Sequence, residues 1–348
     1  MFKQHRIDAL VWLGDVIGDF LNQKNTHSEE SKILEDAVYK AVSTNPWFSD
    51  ESVRQALSGI HLWLNRTILN NFTAQYEVND NTSDTKIGVV MAGNIPLVGF
   101  HDALCVILNG LELHAKPSND DSYLIKGIRD LLIRFDADFE KQFIVADNTI
   151  KNMDAYVATG SNNTARYFEY YFSKVPNIIR KNRNSVAVLT GNESNEELKL
   201  LGNDLFQYYG KGCRNVSSLR VPPNYDLTIL MEGIKDSSDV ALHPKYLNNY
   251  DYQKAAFIIG QKPFADSGFC LITEHENMAS PISVLHFKPY ETFEAINKEF
   301  ENKADQIQCI VSIDNQVVRS ILPGQAQQPN LGDFADNIDT MLFLSSLK

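Results

Sequence analysis

From Lys86 to Gly191 the chain alternates short apolar runs with longer segments of helical period. KIGVVMAG, LELHAKPS, KQFIVAD, DAYVATG and SVAVLTG read as strands. LVGFHDALCVILNG, SYLIKGIRDLLIRF and NNTARYFEYYF, which stand between several of them, read as helices. This rhythm predicts βαβ units and a mainly parallel sheet, hence an α/β fold. Ligands of such sheets bind beyond the carboxyl ends of the strands. Three segments fall there: AGNIP, KPSN and TGSN.

The flanks have another character. RIDALVWLGDVIGDFL places Ile7, Leu10, Leu13, Ile17 and Phe20 near helical spacing, and Ser28 and Ser49 begin further helices. TAQYEV, from Thr73, reads as a strand followed by a polar turn. Beyond residue 191 come a helix, NEELKLLGNDLFQYY, a loop around Cys213 and more α/β material. The expected organisation is a helical region with a cofactor-binding domain over 1–190, a catalytic domain over 191–322 and a C-terminal segment over 323–348. The apolar end of that segment is expected to form an oligomerisation strand, which predicts a homodimer.

Composition removes several function classes. The net charge of −12 opposes general nucleic-acid binding, which needs a basic face. The most apolar window, from Ile87, is broken by Asn94, Pro96, His101 and Asp102, so no membrane span is expected. Asp8 and Asp15 interrupt the N-terminal apolar run, which argues against a signal peptide. Four cysteines, at 105, 213, 270 and 309, form no CxxC pair and lack histidines at zinc spacing. Reduced thiols, no metal and a cytoplasmic setting are expected.

Each candidate segment has a plain reading and a chemical one. In TGSNNTAR, Gly160 makes a turn and Ser161 caps a helix whose first N–H groups would suit a pyrophosphate. An ordinary strand-to-helix connection uses the same residues and is the commoner outcome. Lys116, at a strand end before Pro117, is a ribose or phosphate ligand or a solvated lysine. Asn94, in an apolar setting, either fixes its loop or aims its amide at a ligand. In YYGKGCRN, Lys211 and Arg214 flank Cys213 and would favour a thiolate. An unreactive loop cysteine is the equal alternative. No G-x-G-x-x-G is present.

Taken in order, AGNIPL, AKPSN, ATGSN and GKGC resemble the aldehyde dehydrogenase superfamily, with ENMASPISVLHF similar to its Glu-x-Phe-Gly-Pro segment and LPGQAQQP to its C-terminal turn. The resemblance covers roughly residues 73 to 348. Within the superfamily, the Gly-Asn-Ile-Pro loop and the GQAQQP and ADNIDTMLFL ending look most like the LuxC-type acyl-CoA reductases. It implies a Rossmann-like cofactor domain beside an α/β catalytic domain, and it implies roles. Cys213 would be the nucleophile, and the Asn94 amide would complete an oxyanion hole. Lys116, Ser118 and Asn119 would lie at the adenosine ribose, Gly160 and Ser161 at the pyrophosphate, and Glu276 at the nicotinamide ribose.

Three departures bear on the reaction. Arg180 stands near the place of the glutamate that activates water in aldehyde-oxidising members. Asn119 replaces a ribose-binding glutamate, which makes NADPH acceptable alongside NADH. Met278 stands where an aromatic residue usually packs. The implied activity is reduction of a fatty acyl thioester, on CoA or a carrier protein, to the aldehyde with NADPH. The alternatives are NAD(P)-dependent aldehyde oxidation and a non-catalytic acyl- or partner-binding protein of the same fold.

Overall fold

The computed structural model describes residues 1–347. It divides into two compact units, Met1–Lys181 with the segment from Asn330 onward, and Asn182–Pro329.

The first unit opens with four helices, α1 (Lys3–Leu21), α2 (Glu29–Thr44), α3 (Asp50–Trp63) and α4 (Arg66–Thr73). Ser28 caps α2 through the Ser31 N–H, and Ser49 forms a reciprocal capping box with Ser52 on α3. Ile7, Leu10, Leu13 and Ile17 of α1 are buried in the core that the whole unit shares. The TAQYEV stretch is not a strand. Thr73 ends α4 with its hydroxyl bonded to the Leu69 carbonyl, and Phe72 and Tyr76 meet edge to face. Tertiary contacts there override β-branched and aromatic propensity.

The sheet of this unit follows: β1 (Lys86–Val90), α5 (Phe100–Asn109), β2 (Glu112–Lys116), α6 (Ser122–Phe135), α7 (Phe139–Gln142), β3 (Phe143–Val145), β4 (Ala155–Thr159), α8 (Asn162–Phe172) and β5 (Asn177–Arg180). The strands are all parallel in the order β3-β2-β1-β4-β5. The chain builds outward from β1 to β3 and then resumes on the other side at β4. A topological switch point therefore lies between β1 and β4, where open α/β sheets place their ligands.

The second unit contains β6 (Asn184–Val188), α9 (Asn195–Phe206), β7 (Val216–Val221), α10 (Leu227–Gly233), α11 (Pro244–Ile259), β8 (Ala265–Asp266), β9 (Leu271–Glu274), β10 (Val284–Pro289), α12 (Phe293–Asn302), β11 (Ile307–Val311) and β12 (Ser320–Ile321). Its sheet runs β12-β11-β6-β7-β10-β9-β8, antiparallel only at β8. SVAVLTG therefore opens this sheet instead of ending the first, and the edge strand β5 precedes it. The division falls at Lys181–Asn182, nine residues before the expected boundary at 190.

The tail returns to the first unit as helix α13 (Thr340–Ser345). Its buried Met341 and Leu344 join the core, and the Asn109 amide of α5 lies 3.1 Å from the Met341 sulfur. The expected terminal strand is not formed. Spacing of three residues between the buried positions suits a helix face, not an alternating strand.

Candidate active site

In the first unit the candidate residues sit at neighbouring strand ends. β1 runs into the Met91–Gly99 loop, which carries the half-buried Asn94. Lys116 closes β2, with its ammonium donating to the Pro117 carbonyl at 3.1 Å. Ser118 accepts the Asp120 N–H at 3.2 Å, starting a one-turn 3-10 helix that includes the exposed Asn119. The two loops touch closely: a Cβ on Gly93 would lie 2.7 Å from the Ser118 Cβ, so only glycine fits there. On the other side of β1, Gly160 follows β4, and its N–H donates to the Arg180 carbonyl at 3.2 Å. Ser161 caps α8 through the Thr164 N–H at 3.2 Å. Asn94, Lys116, Ser118, Asn119, Gly160 and Ser161 thus share the carboxyl edge of one sheet, spread across its switch point.

The second unit holds Cys213 differently, in a turn that precedes its strand, β7. Tyr208, Tyr209 and Gly210 adopt three successive left-handed conformations, with φ of 53°, 61° and 73°. Each non-glycine member costs about 1–2 kcal/mol. The compensation is visible in Asn215, which is 3% exposed. Its amide donates to the carbonyls of Asp204, Leu205 and Gln207 at 3.1, 3.3 and 2.9 Å, and its Oδ1 accepts the Gly212 N–H at 2.7 Å. One buried amide therefore ties the end of α9 to both sides of the cysteine turn. Ser185 of β6 adds a bond to the Cys213 carbonyl at 2.9 Å.

The four cysteines differ in chemistry. Burial pushes the Cys105 thiol far up and Cys270 to about 12. Cys309 is pushed to about 11 by burial, against a hydrogen bond from Ser185 and the Arg214 charge. These three resist ionisation near neutral pH. Cys213 is half-exposed, in a loop carrying two cations.

Asp204 ties a further segment to the same helix. Fully buried, it accepts the Gly324 and Ala326 N–H groups at 2.7 and 2.9 Å. Burial raises its carboxyl to about 6 in spite of those donors. The PGQAQ loop is thereby fastened to α9, which also carries the Asn215 contacts.

Glu276 lies in the loop between β9 and β10. It is exposed, and its Oε2 is 2.7 Å from the Lys288 ammonium, whose hydrogen bond and charge hold the carboxyl below its usual range. The loop doubles back along the sheet, and the Met278 carbonyl accepts the Ser217 hydroxyl at 2.7 Å near the start of β7. Met278 itself is buried among Val186, Val188, Ile296 and Phe300.

Arg180 is the last residue of β5 and is 2% exposed. Its guanidinium lies 2.5 Å from Asp102 of α5 and 2.7 Å from the Thr340 hydroxyl of α13. Burial pulls its pKa down, and the Asp102 carboxylate more than restores it. A cation so held cannot serve as a base. Among the described residues, no group of three or more His, Cys, Asp or Glu side chains could hold a metal ion, and no helix is long and apolar enough to cross a membrane.

No protein-family model matches the sequence, and a search of curated proteins finds no match. Solved structures do. The chain is similar to the substrate-bound AldH of Staphylococcus aureus at 16% identity and a TM-score of 0.55, covering 90% of this chain and 76% of that one. Aldehyde dehydrogenase C of Pseudomonas syringae, complexed with NAD+ and octanal, matches at 12% identity and 0.62, over 90% and 72%. Betaine aldehyde dehydrogenase of Staphylococcus aureus matches at 11% and 0.64, over 92% and 73%. At these identities the likeness establishes the fold: the chain has the aldehyde dehydrogenase architecture.

Proposed function

We propose that this chain is a nicotinamide-dependent oxidoreductase that reduces fatty acyl thioesters to aldehydes, with NADPH, or NADH, as the reductant. The observation that carries the direction of the reaction is Arg180. Near the place where the resemblance puts a water-activating glutamate, this chain carries Arg180, a buried cation locked to Asp102 and Thr340.

The residues divide the work as follows. Cys213 sulfur attacks the thioester carbonyl, and the carrier thiol leaves with the displaced electron pair. On the resemblance, the Asn94 amide and the Cys213 N–H would take the negative charge of the tetrahedral species. No carboxylate stands at position 180 to activate water, so the acyl group waits on sulfur. A reduced nicotinamide, when bound, would supply the hydride that the acyl group needs to become an aldehyde. Release of the aldehyde would then return Cys213 to its thiolate.

The strand ends of the first unit suit a dinucleotide. Gly160 brings the start of α8, eleven residues long, to the switch point, where its positive end favours a pyrophosphate. Lys116 and Ser118 would meet the adenosine ribose. Neutral Asn119 would leave room for a 2′-phosphate without the repulsion of a glutamate. Glu276 would take the nicotinamide ribose. A homodimer and a CoA or acyl-protein thioester substrate belong to the same proposal.

Aldehyde oxidation is the second reading, favoured by the octanal bound in the similar Pseudomonas enzyme. The test is NADPH consumption across a panel of acyl-CoA chain lengths. Turnover that needs both thioester and Cys213, and is lost in Cys213→Ala, supports the reductase. Steady formation of acid from aldehyde and NADP, with no thioester reduction, supports oxidation. Absence of any nicotinamide binding by calorimetry supports a non-catalytic protein.

A further inference from the structure

We propose that Asp121 is a positioning residue for Asn94, holding the loop that carries the oxyanion amide against the turn that carries Lys116 and Ser118. The inference rests on the reading of Asn94 given above, and it adds a residue that neither the motifs nor the resemblance pointed to.

The loop after β1 must turn from a strand into α5 within nine residues, Met91 to Gly99. It does so through Leu97, which is left-handed at φ 55°. An ordinary side chain rarely adopts that conformation, so something must hold it there. Oδ2 of Asp121 accepts the Leu97 N–H at 2.6 Å, a bond that the carbonyl oxygen of a buried, protonated carboxyl can also accept. Asp121 is 6% exposed, and its Oδ1 is buried with no hydrogen-bond partner among the described residues. A carboxyl buried with one oxygen unsatisfied is costly, and the bond made by its other oxygen is the one gain the burial brings. That bond falls on the strained turn three residues beyond Asn94.

The same carboxyl belongs to the turn at the end of β2. The Asp121 N–H donates to the Ser118 carbonyl at 3.1 Å. The Asn45 amide, from the α2–α3 connection, donates to the Asp120 carbonyl at 3.1 Å. With Gly93 in contact with Ser118, the two loops form one body. Its consequence is coupling: ordering of Lys116 and Ser118 by the cofactor is passed to the Asn94 amide through Asp121.

The test pairs Asp121→Ala with Asp121→Asn in the full chain. The asparagine keeps an acceptor oxygen for the Leu97 N–H, and the alanine does not. Asp121→Ala is expected to lower kcat for acyl-CoA reduction by about 10²-fold, the scale of a lost oxyanion donor, while KM changes little. Asp121→Asn should recover most of that loss. Hydrogen exchange followed by mass spectrometry should show faster exchange over residues 93–99 in the alanine variant alone. Equal exchange there in wild type and Asp121→Ala overturns the latch, whatever the activity. Equal loss in both variants, with kcat and KM moving together, also overturns it and marks a merely structural residue. If the wild type reduces no thioester, the proposed reaction fails, while the exchange data still decide whether Asp121 holds the loop.

Discussion

The two units hold their candidate residues on opposite plans. In the first unit the candidate residues lie at or just beyond their strand ends, among glycines, a helix cap and backbone groups. In the second unit Cys213 precedes its strand, and side chains from distant elements hold its turn. The first plan is robust, because a parallel sheet presents such loops wherever strand gives way to helix. The second depends on single residues. Asn215 spans the end of α9 and the cysteine turn, beside the left-handed run at Tyr208 and Tyr209.

That contrast can be broken most forcefully at Asn215. Asn215→Ala removes four buried hydrogen bonds and orphans their partners, at a cost of roughly 3–5 kcal/mol. Denaturant unfolding should show that loss, and reaction of Cys213 with iodoacetamide should change rate at once. A variant with wild-type stability and thiol reactivity would mean that the turn is held elsewhere.

Acidity sharpens the comparison further. Burial raises Asp121 in the first unit to about 8, and Asp204 in the second to about 6. In the native state each keeps its proton above the point, near pH 4, at which an unfolded aspartate releases it. The native state then binds more protons than the unfolded one, so stability falls as pH rises through that window and levels off above it. For Asp121 the fall extends from about pH 4 to about 8, and for Asp204 it ends near 6. Unfolding at pH 5 and pH 8 should show Asp121→Asn losing less stability than wild type, by on the order of 2 kcal/mol. Asp204→Asn should flatten the profile only below about pH 6. Parallel profiles for wild type and both variants would contradict this origin of the pH dependence.

The smallest effect belongs to the first plan. Ser161→Ala removes only the cap of α8, worth about 1 kcal/mol, and the backbone N–H groups remain. Cofactor affinity by calorimetry should fall only a few-fold. A loss of a hundred-fold would show that the Ser161 hydroxyl itself binds the cofactor.

The same division explains what could be read from the sequence. The α/β class, the caps at Ser28 and Ser49 and the strands KIGVV, ELHAK and AYVAT follow from local pattern, and each is found. β5 has four residues, too few for a period to register, and missing it moved the expected division from 181 to 190. TAQYEV and the tail had strand-like composition, but contacts with Leu69 and α5 decide their form. The strand-end segments could be singled out because glycine, serine and lysine mark strand exits. Asn215 and Asp121 could not, since an Asn after a cysteine turn or an Asp before a helix is commonplace. The carbonyls that the Asn215 amide reaches lie 8 to 11 residues away in the sequence, and the Leu97 N–H lies 24 from Asp121.

On the proposed reaction, Cys213 carries an acyl group that waits for hydride instead of water. Incubation of the protein with a long-chain acyl-CoA in the absence of reductant, followed by mass spectrometry of its peptides, tests this directly. The account predicts an acyl adduct on the Cys213 peptide that persists for many minutes and disappears within a turnover once NADPH is added. Acylation of another cysteine, or rapid release of free acid without NADPH, would contradict it.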